Sequence, residues 1–431
     1  MFKHRTEEIV FAKPGAARST MTLDDIRALD RADPLAPYRD QFELADGLIY
    51  LDGNSLGPMA KTIPAEMAKA VGEEWGRGLI SSWNDAGWWE LPVSLGAKLA
   101  PLLGAAPGQV VVSDSTSVNI YKTLQAGLAL RPERSVMVSE AASFPTDLYI
   151  TEGAMQGRET LSRRLVGEAG ASLADVLDED VAVVLLSHVD YRSGELFDMA
   201  EITRQVQDAG AIMIWDLCHS AGIFPVELDA CNVDLAMGCT YKYLNGGPGA
   251  QSWIYAAERH LGNIRQPLRG WWGHAQPFAF EQDYRPEPGI KAFLCGSQAI
   301  LGMRALSAAL DVIADVDLAQ VRAKSMQLTD LFITLVDQEC AGHGFGLFSP
   351  REASKRGSQV ALTHEDGYAI VQALIARGVV GDFRMPNILR FGFAPLYISY
   401  EDVWTAVARL KEIMDSGVWR EPQFAVRAAV T

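Results

Sequence analysis

The segment "DLAMGCTYKYLNGGPGAQSWIYA" (residues 234–256) decides the fold, because it places a lysine between two apolar stretches of strand length. We predict strands at 234–239 and 251–256. Between them, Lys242 is flanked by two tyrosines and followed by three glycines and a proline. The glycines and the proline allow a sharp turn and a close backbone approach, so Lys242 is either a solvated charge or a covalent catalyst held beside a ligand.

Apolar stretches of the same length occur upstream, and segments with helical periodicity separate most of them. We predict strands at 109–113, 135–139, 181–188 and 211–216, and helices at 117–130, 146–155 and 198–210. Strands that are apolar throughout are typical of a parallel sheet buried on both faces. Their alternation with helices predicts a large α/β domain at 60–310, with a mostly parallel sheet covered by helices on both faces.

The pattern changes in the last third of the chain, where long amphipathic helices come first. Helices are predicted at 298–313, 317–338 and 399–414, and a strand at 388–394. This order predicts a smaller C-terminal α+β domain at 311–431. Residues 1–20 are expected to form a flexible arm, and 21–59 to pack on the small domain. The acidic helix predicted at 22–34 has either a solvated face or a contact with that domain.

The composition excludes several classes of protein. The chain has 431 residues, 48% of them apolar, which is enough for two domains with their own cores. Its net charge of −16 and its pI of about 4.9 would repel a polyanion, so nucleic acid is not an expected partner. No apolar run is long enough to span a bilayer, and the N-terminal segment does not resemble a signal peptide.

The chain has five cysteines, an odd number, with no CxxC pair among them. This pattern favours reduced thiols in the cytoplasm over a disulfide framework. Cys218 and His219 come close after Asp216, but no further histidine or cysteine has the spacing of a metal ligand. We therefore predict no metal site.

Asp216 and Lys242 are predicted to share one crevice, because each follows a buried strand and such strand ends meet at the ligand-binding edge of a sheet. On its own, Asp216 is equally well explained as a helix N-cap. Pyridoxal phosphate requires this pair of groups: a lysine forms a Schiff base with it, and an acid keeps its pyridinium nitrogen protonated. The pair therefore predicts this cofactor.

The segment "VVVSDSTSVNIYKTL" (110–124) is a candidate phosphate site, because a strand, a Ser/Thr-rich turn and a helix follow one another. Backbone N–H groups at the start of a helix attract an anion. Thr116 and Ser117 would add hydroxyl donors. An ordinary Ser/Thr helix cap has the same pattern and remains the alternative.

Two aromatic residues have positions that suit the same cofactor. Phe144 follows the strand at 135–139 and is placed either to stack on a ring or to pack in the core, with Asp147 close by. Tyr241 directly precedes Lys242, so its hydroxyl is a candidate phosphate ligand or acid. Each signal is weak alone, and their order along the chain makes the prediction specific.

Six motifs together resemble the kynureninase family of fold-type-I pyridoxal phosphate hydrolases, which have the aspartate aminotransferase fold. The motifs are "YLDGNSLGP" (50–58), "FPTDLY" (144–149), "WDLCHSAG" (215–222), "YKYLNGGPG" (241–249), "RGWWGH" (269–274) and "LRFGFAPLY" (389–397). The resemblance implies hydrolysis of the Cβ–Cγ bond of L-kynurenine, or of its 3-hydroxy form, to anthranilate or 3-hydroxyanthranilate and L-alanine in tryptophan degradation. It also implies a homodimer with shared active sites.

The resemblance assigns roles to individual residues. Three are implied to be catalytic: Lys242 as the Schiff-base amine and proton carrier, Asp216 as the partner of the pyridine nitrogen, and Tyr241 as a phosphate ligand and proton donor. The implied cofactor-binding residues are these three together with Thr116, Ser117, Phe144, Asp147, Ser187, His219, Trp271 and Ser297. The last two match positions that reach the phosphate from the partner subunit.

Four residues are implied to bind the substrate. Arg390 matches the arginine that binds the α-carboxylate, a role that suits the fork of a guanidinium. Trp83 would lie near the aromatic end of the substrate, and Asn54 belongs to the first of the six motifs. His274 either binds the substrate ring or is a satisfied loop histidine.

Two stretches depart from the family pattern, "GAQSW" (249–253) and "CGSQAIL" (295–301). They leave a different β-acyl amino acid as an alternative substrate. An aminotransferase or a cysteine desulfurase of the same fold would share Lys242 and Asp216, although a desulfurase needs a reactive cysteine and only Cys340 is near the right region. A binding protein that keeps the fold without catalysis is a further alternative, which the intact set of polar residues disfavours.

Overall fold

The computed structural model describes residues 21–427, so the predicted arm at 1–20 lies outside the described residues. Its strands, β1 to β13 in chain order, are Ile49–Tyr50, Val110–Ser113, Val136–Glu140, Ser162–Val166, Val181–Ser187, Ile212–Asp216, Leu235–Gly238, Ser252–Ala256, Gly346–Leu347, Gln359–Thr363, Val379–Val380, Asp382–Arg384 and Ile388–Gly392. Its α-helices, α1 to α12, are Leu23–Ala32, Ile63–Lys69, Ser82–Asp85, Leu91–Leu99, Thr116–Leu130, Pro145–Met155, Leu173–Val176, Met199–Asp208, Ile300–Ile313, Leu318–Glu339, Gly367–Ile375 and Tyr400–Ser416.

Seven strands form the large sheet, in the order β2-β8-β7-β6-β5-β3-β4. Neighbours are parallel except at β8, which runs antiparallel to both β2 and β7. Every residue of β5 and β6 is buried, as expected for strands covered by helices on both faces. The predicted α/β class is confirmed, and the six predicted strands of this sheet agree with the structure to within one residue at each end.

Strand β4 is the one member of the large sheet that the sequence pattern did not predict. Its sequence, "SRRLV", is only partly buried and contains two arginines. It pairs with a single neighbour, β3, at the edge of the sheet. An edge strand with charged residues lacks the continuous apolar run by which the central strands are recognised.

Helix α5 lies directly against the large sheet. A Cβ atom at Gly127 would come within 2.6 Å of Val183 Cγ1, so glycine is required at this contact. The helix begins at Thr116, and the Ser115 side chain accepts a hydrogen bond from Val118 N. This close packing fixes the N-terminus of α5 at the end of β2, beside the ends of the parallel strands.

A second, antiparallel sheet lies in the C-terminal part of the chain, in the order β12-β13-β10-β9. Its register places Asp382 opposite Arg390 and Arg384 opposite Ile388. Strand β1 pairs with β11 in parallel, and Asp52 forms a bridge with Gly392. The segment that follows β1 is therefore held between the two sheets. The predicted domain limits stay predictions.

Helix α1 packs on α12, the last long helix of the small sheet's region. Ile26 of α1 is fully buried, and Asp30 accepts hydrogen bonds from the backbone N–H groups of Tyr400 and Glu401 at the start of α12. The sequence left open whether this acidic helix has a solvated face or contacts the C-terminal part of the chain. In the structure, its buried side packs on α12. None of the helices in residues 21–427 has both the length and the apolar character needed to traverse a bilayer.

Candidate active site

Lys242 and Asp216 line the same cavity, at the ends of the parallel strands of the large sheet. Asp216 is the last residue of β6, and Lys242 follows β7 by a short turn. The register aligns Asp216 with Ser187 on one side and with Met237 on the other. One oxygen of Asp216 accepts a hydrogen bond from Cys218 N at 2.7 Å. Both residues therefore line one cavity, where a single ligand could contact them.

The glycine-rich turn after Lys242 has the conformations that its sequence predicts. Asn245 and Gly247 have positive φ angles of 57° and 92°. The backbone of Gly57 also lies close to this turn, and its N–H donates a hydrogen bond to Tyr241 O at 2.8 Å. A Cβ at Gly57 would lie 2.2 Å from Lys242 O, so only glycine lets the 52–58 segment pack against the lysine.

The N-terminus of α5 forms one end of the cavity. Thr116 and Ser117 both line it. Thr116 Oγ1 is buried and has no hydrogen-bond partner among residues 21–427, which is costly unless a ligand supplies one. Together with the free N–H groups of the helix start, this hydroxyl provides the donors that an anion requires.

Phe144 and Tyr191 border the cavity on another side. Phe144 is 45% exposed, and its ring meets that of Tyr191 edge-on with 5.2 Å between centroids. Of the two positions predicted for Phe144, the structure has it at the cavity and not in the core. Ser187 donates to Asp147 Oδ2 at 3.4 Å, and both also line the cavity.

Burial sets the protonation of several groups here. Burial and the neighbouring Asp216 raise the pKa of Asp147 well above its usual range. Burial and the nearby Lys242 lower the pKa of His219, so its imidazole is neutral at pH 7. His219 Nε2 lies 2.9 Å from Lys242 Nζ and 3.1 Å from Asn54 O. Burial also raises the pKa of Tyr241, which keeps its hydroxyl protonated as a proton donor must be.

Arg390 closes the cavity at the small sheet and is 2% exposed. Its Nε donates to Asp382 Oδ1 at 2.9 Å, and its Nη2 donates to Asp382 Oδ2. Nη1 donates to Tyr191 O at 2.6 Å, and Nη2 also donates to Ser55 Oγ at 3.0 Å. The resemblance assigns the Arg390 guanidinium to a substrate carboxylate. In the structure, that guanidinium already binds the carboxylate of Asp382.

The cavity also contains residues that the sequence did not single out. They are Ser55, Ile120, Thr146, Val189, Tyr191 and Arg384, and Cys218, considered above only as a metal ligand, lies there as well. Ser55 and Thr146 lie inside motifs already quoted, so motif membership could have indicated them. Tyr191 closely follows β5, as other ligand-binding residues follow their strands. Arg384 has no such signal, because only the pairing of β12 with β13 brings it to the cavity.

Four predicted residues do not line the cavity of this chain: Trp83, Trp271, His274 and Ser297. The ring centroids of Trp83 and Trp271 are 6.5 Å apart within a cluster of aromatic rings, and Trp271 is 40% exposed. Ser297 is exposed, and His274 Nε2 lies 3.3 Å from Asp283 O and 3.6 Å from Glu281 Oε2. Asn54, in contrast, lies in the cavity wall. Roles for the four stay predictions.

The structure also shows the state of the cysteines and whether potential metal ligands cluster. All five cysteines are unpaired, and no group of three or more potential metal ligands occurs within residues 21–427. Cys340, the candidate desulfurase residue, is 3% exposed just after α10. Burial raises the pKa of its thiol to about 11, the opposite of what a reactive cysteine needs.

Comparison with curated proteins gives long and close matches. A kynureninase of Burkholderia pseudomallei (strain K96243) is 50% identical over 415 residues, which cover 95% of this chain and 100% of that protein. The chain belongs to the kynureninase family. A kynureninase of Pseudomonas fluorescens is 49% identical over the same lengths, and the model of the kynureninase C-terminal domain matches residues 321–410.

Solved structures with a similar fold are more distant from this kynureninase family member. The apo cysteine desulfurase of Thermococcus onnurineus NA1 has a TM-score of 0.73 at 18% identity, covering 88% of this chain and 98% of its own. A C-DES variant with glycine covalently linked to its PLP cofactor also has a TM-score of 0.73 at 18% identity, covering 87% and 99%. These matches confirm the predicted fold class.

Proposed function

We propose that this chain hydrolyses L-kynurenine, with water, to anthranilate and L-alanine. Membership of the kynureninase family supports this function, at 50% identity over 95% of the chain. It makes the chain a hydrolase of carbon–carbon bonds in ketonic substrates, acting in tryptophan degradation. The single structural observation that carries the proposal is the cavity that holds Lys242, Asp216 and Arg390 together.

The cavity residues fit pyridoxal phosphate as the cofactor. The unpartnered hydroxyl of Thr116 and the N-terminus of α5 suit its phosphate. Asp216 suits the pyridine nitrogen, and Lys242 suits the aldehyde. Phe144 borders the same space with an exposed ring face. Asp147, Ser187, His219 and Tyr241 would complete the polar contacts around the cofactor.

The bound cofactor supplies an aldehyde that condenses with an amine and a ring that accepts an electron pair. In the proposed mechanism, Lys242 Nζ would remove the Cα proton of the substrate and hold it for later return to Cα. Asp216 holds a proton at the ring nitrogen. Water adds to the γ-carbonyl, and the Cβ–Cγ bond breaks with its electron pair left on Cβ. The Tyr241 hydroxyl then donates a proton to Cβ and Lys242 returns a proton to Cα, which completes alanine, while the acyl fragment leaves as anthranilate with the oxygen of the added water in its carboxylate.

We further infer a cytoplasmic homodimer whose sites are completed across the interface. The five unpaired cysteines support a reducing compartment. The exposed Trp271 and Ser297 are available for contacts with a second chain, which the resemblance assigns to the phosphate. Phe278 and Phe280 are 64% and 84% exposed near Trp271, an apolar surface of the kind that interfaces cover.

The function is tested with purified protein loaded with pyridoxal phosphate. We expect L-kynurenine to yield anthranilate, detected by its fluorescence, together with one equivalent of alanine. A Lys242→Ala variant is the control and should give no signal above background. Conversion of kynurenine to a keto acid without release of alanine would instead support an aminotransferase, and no turnover of kynurenine would contradict the proposal.

Shared sites are tested by mixing two inactive variants, Trp271→Ala and Lys242→Ala. If each site uses Trp271 of one chain and Lys242 of the other, a mixed dimer has one intact site. Random reassortment of the subunits should then restore about a quarter of the wild-type activity. A mixture that stays inactive, or a Trp271→Ala variant that is fully active alone, would contradict the sharing of sites by this residue.

A further inference from the structure

Arg390 has little hydrogen-bonding capacity left for a substrate. A guanidinium has five N–H groups. Four hydrogen bonds already involve those of Arg390, two to Asp382, one to Ser55 and one to Tyr191. The Asp382 carboxylate is 1% exposed and occupies the Nε and Nη2 side of the guanidinium, while Tyr191 O and Ser55 Oγ take one N–H each on Nη1 and Nη2. A substrate carboxylate therefore has only the Nη1 side of Arg390 to approach.

Arg384 is a second guanidinium in the same cavity wall. It lies two residues after Asp382 on β12, so both side chains are on the face of the sheet that carries Arg390. Its Nη2 is 2.7 Å from Asp382 Oδ2, and its Nη1 donates to Phe383 O at 3.2 Å. Within the described part of the chain its Nε–H has no acceptor, and its side chain is 33% exposed.

The charges of this cluster are unbalanced in favour of an anion. Arg384 and Arg390 share the single carboxylate of Asp382. Asp52 is the next acid, and burial together with Asp382 raises its pKa to about 7, so it is largely uncharged below neutrality. Among residues 21–427, one Oδ of Asp52 is buried without a hydrogen-bond partner, so that oxygen has no donor to stabilise a negative charge. The cluster then has one positive charge in excess, and a monocarboxylate would neutralise it.

We propose that Arg384 is a second carboxylate-binding residue, and that the α-carboxylate of the substrate bridges Arg384 and the Nη1 side of Arg390. Asp382 stays in place and positions both guanidinium groups. The inference rests on the proposed function, since it concerns the α-carboxylate of an amino acid substrate. It also explains how Arg390 can bind a substrate with only one N–H group left, because Arg384 supplies the other half of the binding fork.

The test compares two ligands that differ only at the carboxylate. L-Alanine has the α-carboxylate, and L-alaninamide replaces it with a neutral amide. Binding of each to the pyridoxal-phosphate-loaded protein is measured by calorimetry in the wild type, in Arg384→Gln and in Arg384→Lys. Arg351→Gln is the matched control, because it removes an exposed arginine charge whose partner is Asp337, on the same part of the chain.

We expect Arg384→Gln to weaken alanine binding at least about tenfold and alaninamide binding by less than about twofold. Arg384→Lys should fall between the wild type and the glutamine variant, since a lysine keeps the charge and loses the planar fork. Arg351→Gln should change neither affinity. In steady-state assays the loss should raise KM for kynurenine more than it lowers kcat.

Equal weakening of both ligands in Arg384→Gln would overturn the inference, because it would indicate a general change of the pocket. Unchanged alanine affinity would overturn it as well. If Arg384→Gln does not fold, the same comparison is decided by Arg384→Lys. The wild type could bind alanine and hydrolyse kynurenine, and Arg384→Gln could do both equally well. That result would contradict this inference and leave the proposed function intact. A wild type without kynurenine hydrolysis would contradict the proposed function.

Discussion

The two ends of the cavity differ in how many of their polar groups already have partners. At the large sheet, within the part of the chain that the structure describes, Thr116 Oγ1 has no hydrogen-bond partner and a single hydrogen bond involves the carboxylate of Asp216. At the small sheet, Arg390 donates four hydrogen bonds within the protein, and Asp382 is shared by two arginines. The polar groups at the large-sheet end of the cavity therefore have few hydrogen-bond partners within the protein, and those at the small-sheet end have many.

This difference matches the ligands proposed for each end. A cofactor that stays bound can satisfy the groups at the large sheet permanently, so the protein need not do so. A substrate leaves after each turnover, and in its absence the buried Arg390 and the partly buried Arg384 would repel each other without a carboxylate between them. A resident carboxylate such as Asp382 limits that repulsion and keeps the side chains in place.

The largest expected effect is on the cofactor end, at Lys242. Its replacement by alanine should lower kcat roughly 10⁴-fold, because proton transfer at Cα loses its carrier. The rate is measured by anthranilate fluorescence with the cofactor in excess. Lys98→Ala, which removes a surface lysine paired with Asp311, should keep wild-type activity. Comparable losses in both variants would contradict a special role for Lys242.

The next effect concerns stability at the substrate end. Asp382→Asn should lower the free energy of unfolding by about 3 kcal/mol, because Arg390 would keep its charge in a buried site without its counter-ion. Urea denaturation measures this loss. Asp337→Asn, which affects an exposed pair with Arg351, should cost less than about 1 kcal/mol. Equal losses in the two variants would remove the contrast between the buried pair and a surface pair.

A pH dependence at the substrate end should follow from Asp52. Its pKa is raised to about 7 by burial and by Asp382, so the folded state binds a proton that the unfolded state releases at lower pH. The stability that this proton contributes is complete below the unfolded pKa and is lost as pH rises through about 7. The charged or titratable groups around Asp52 are Asp382, Arg384, Arg390, Tyr50, Tyr243 and Tyr397.

Asp52→Asn should remove this dependence, which amounts to at most about 1.4 kcal/mol per pH unit. Urea denaturation of wild type and variant between about pH 5 and pH 7 measures it. We expect the wild type to lose stability relative to the variant as pH rises. A constant difference over this range would mean that Asp52 is ionised throughout.

The smallest expected effect tests the unsatisfied hydroxyl at the cofactor end. Thr116→Val should weaken pyridoxal phosphate binding about tenfold, since a hydrogen bond to the phosphate is lost. The same variant should leave the stability of the cofactor-free protein unchanged or slightly higher, because the hydroxyl has no partner there. Titration of the visible absorption and urea denaturation measure the two quantities.

Thr123 on the same helix provides the control for Thr116. Its hydroxyl donates to Asn119 O at 2.9 Å and is fully buried away from the cavity. Thr123→Val should lower stability with and without cofactor and leave cofactor affinity unchanged. The reverse pattern, with cofactor affinity lost in Thr123→Val and kept in Thr116→Val, would contradict the assignment of the phosphate end.

The cofactor end could be predicted from the sequence because its signals are local. Strands β5 and β6 are continuous apolar runs, and Asp216 and Lys242 come at or soon after the ends of their strands. The order of parallel strands then brings such residues to one edge. The Ser/Thr turn before α5 is equally visible. The sequence leaves both a helix cap and a ligand site open for Thr116, whose hydroxyl has no partner in the described part of the chain, and its role as a phosphate ligand stays a prediction.

The substrate end was predicted less completely because its contacts depend on strand register. Arg390 was identified only by resemblance, and nothing in the sequence indicated that Asp382 occupies it. The pair forms because β12 and β13 place residues 382 and 390 opposite each other. Arg384 reaches the cavity by the same register. A shift of one residue in that pairing would move both β12 side chains to the other face of the sheet.

The central claim is that Lys242 is the residue joined to pyridoxal phosphate in this cavity. The most direct measurement reduces the cofactor-loaded protein with borohydride, digests it and identifies the modified peptide by mass spectrometry. We predict one pyridoxyl-phosphate group per chain, on Lys242 within the peptide that contains "TYKYLNGGPG". Modification at another lysine, or a protein whose cofactor is not trapped by borohydride at all, would contradict the account.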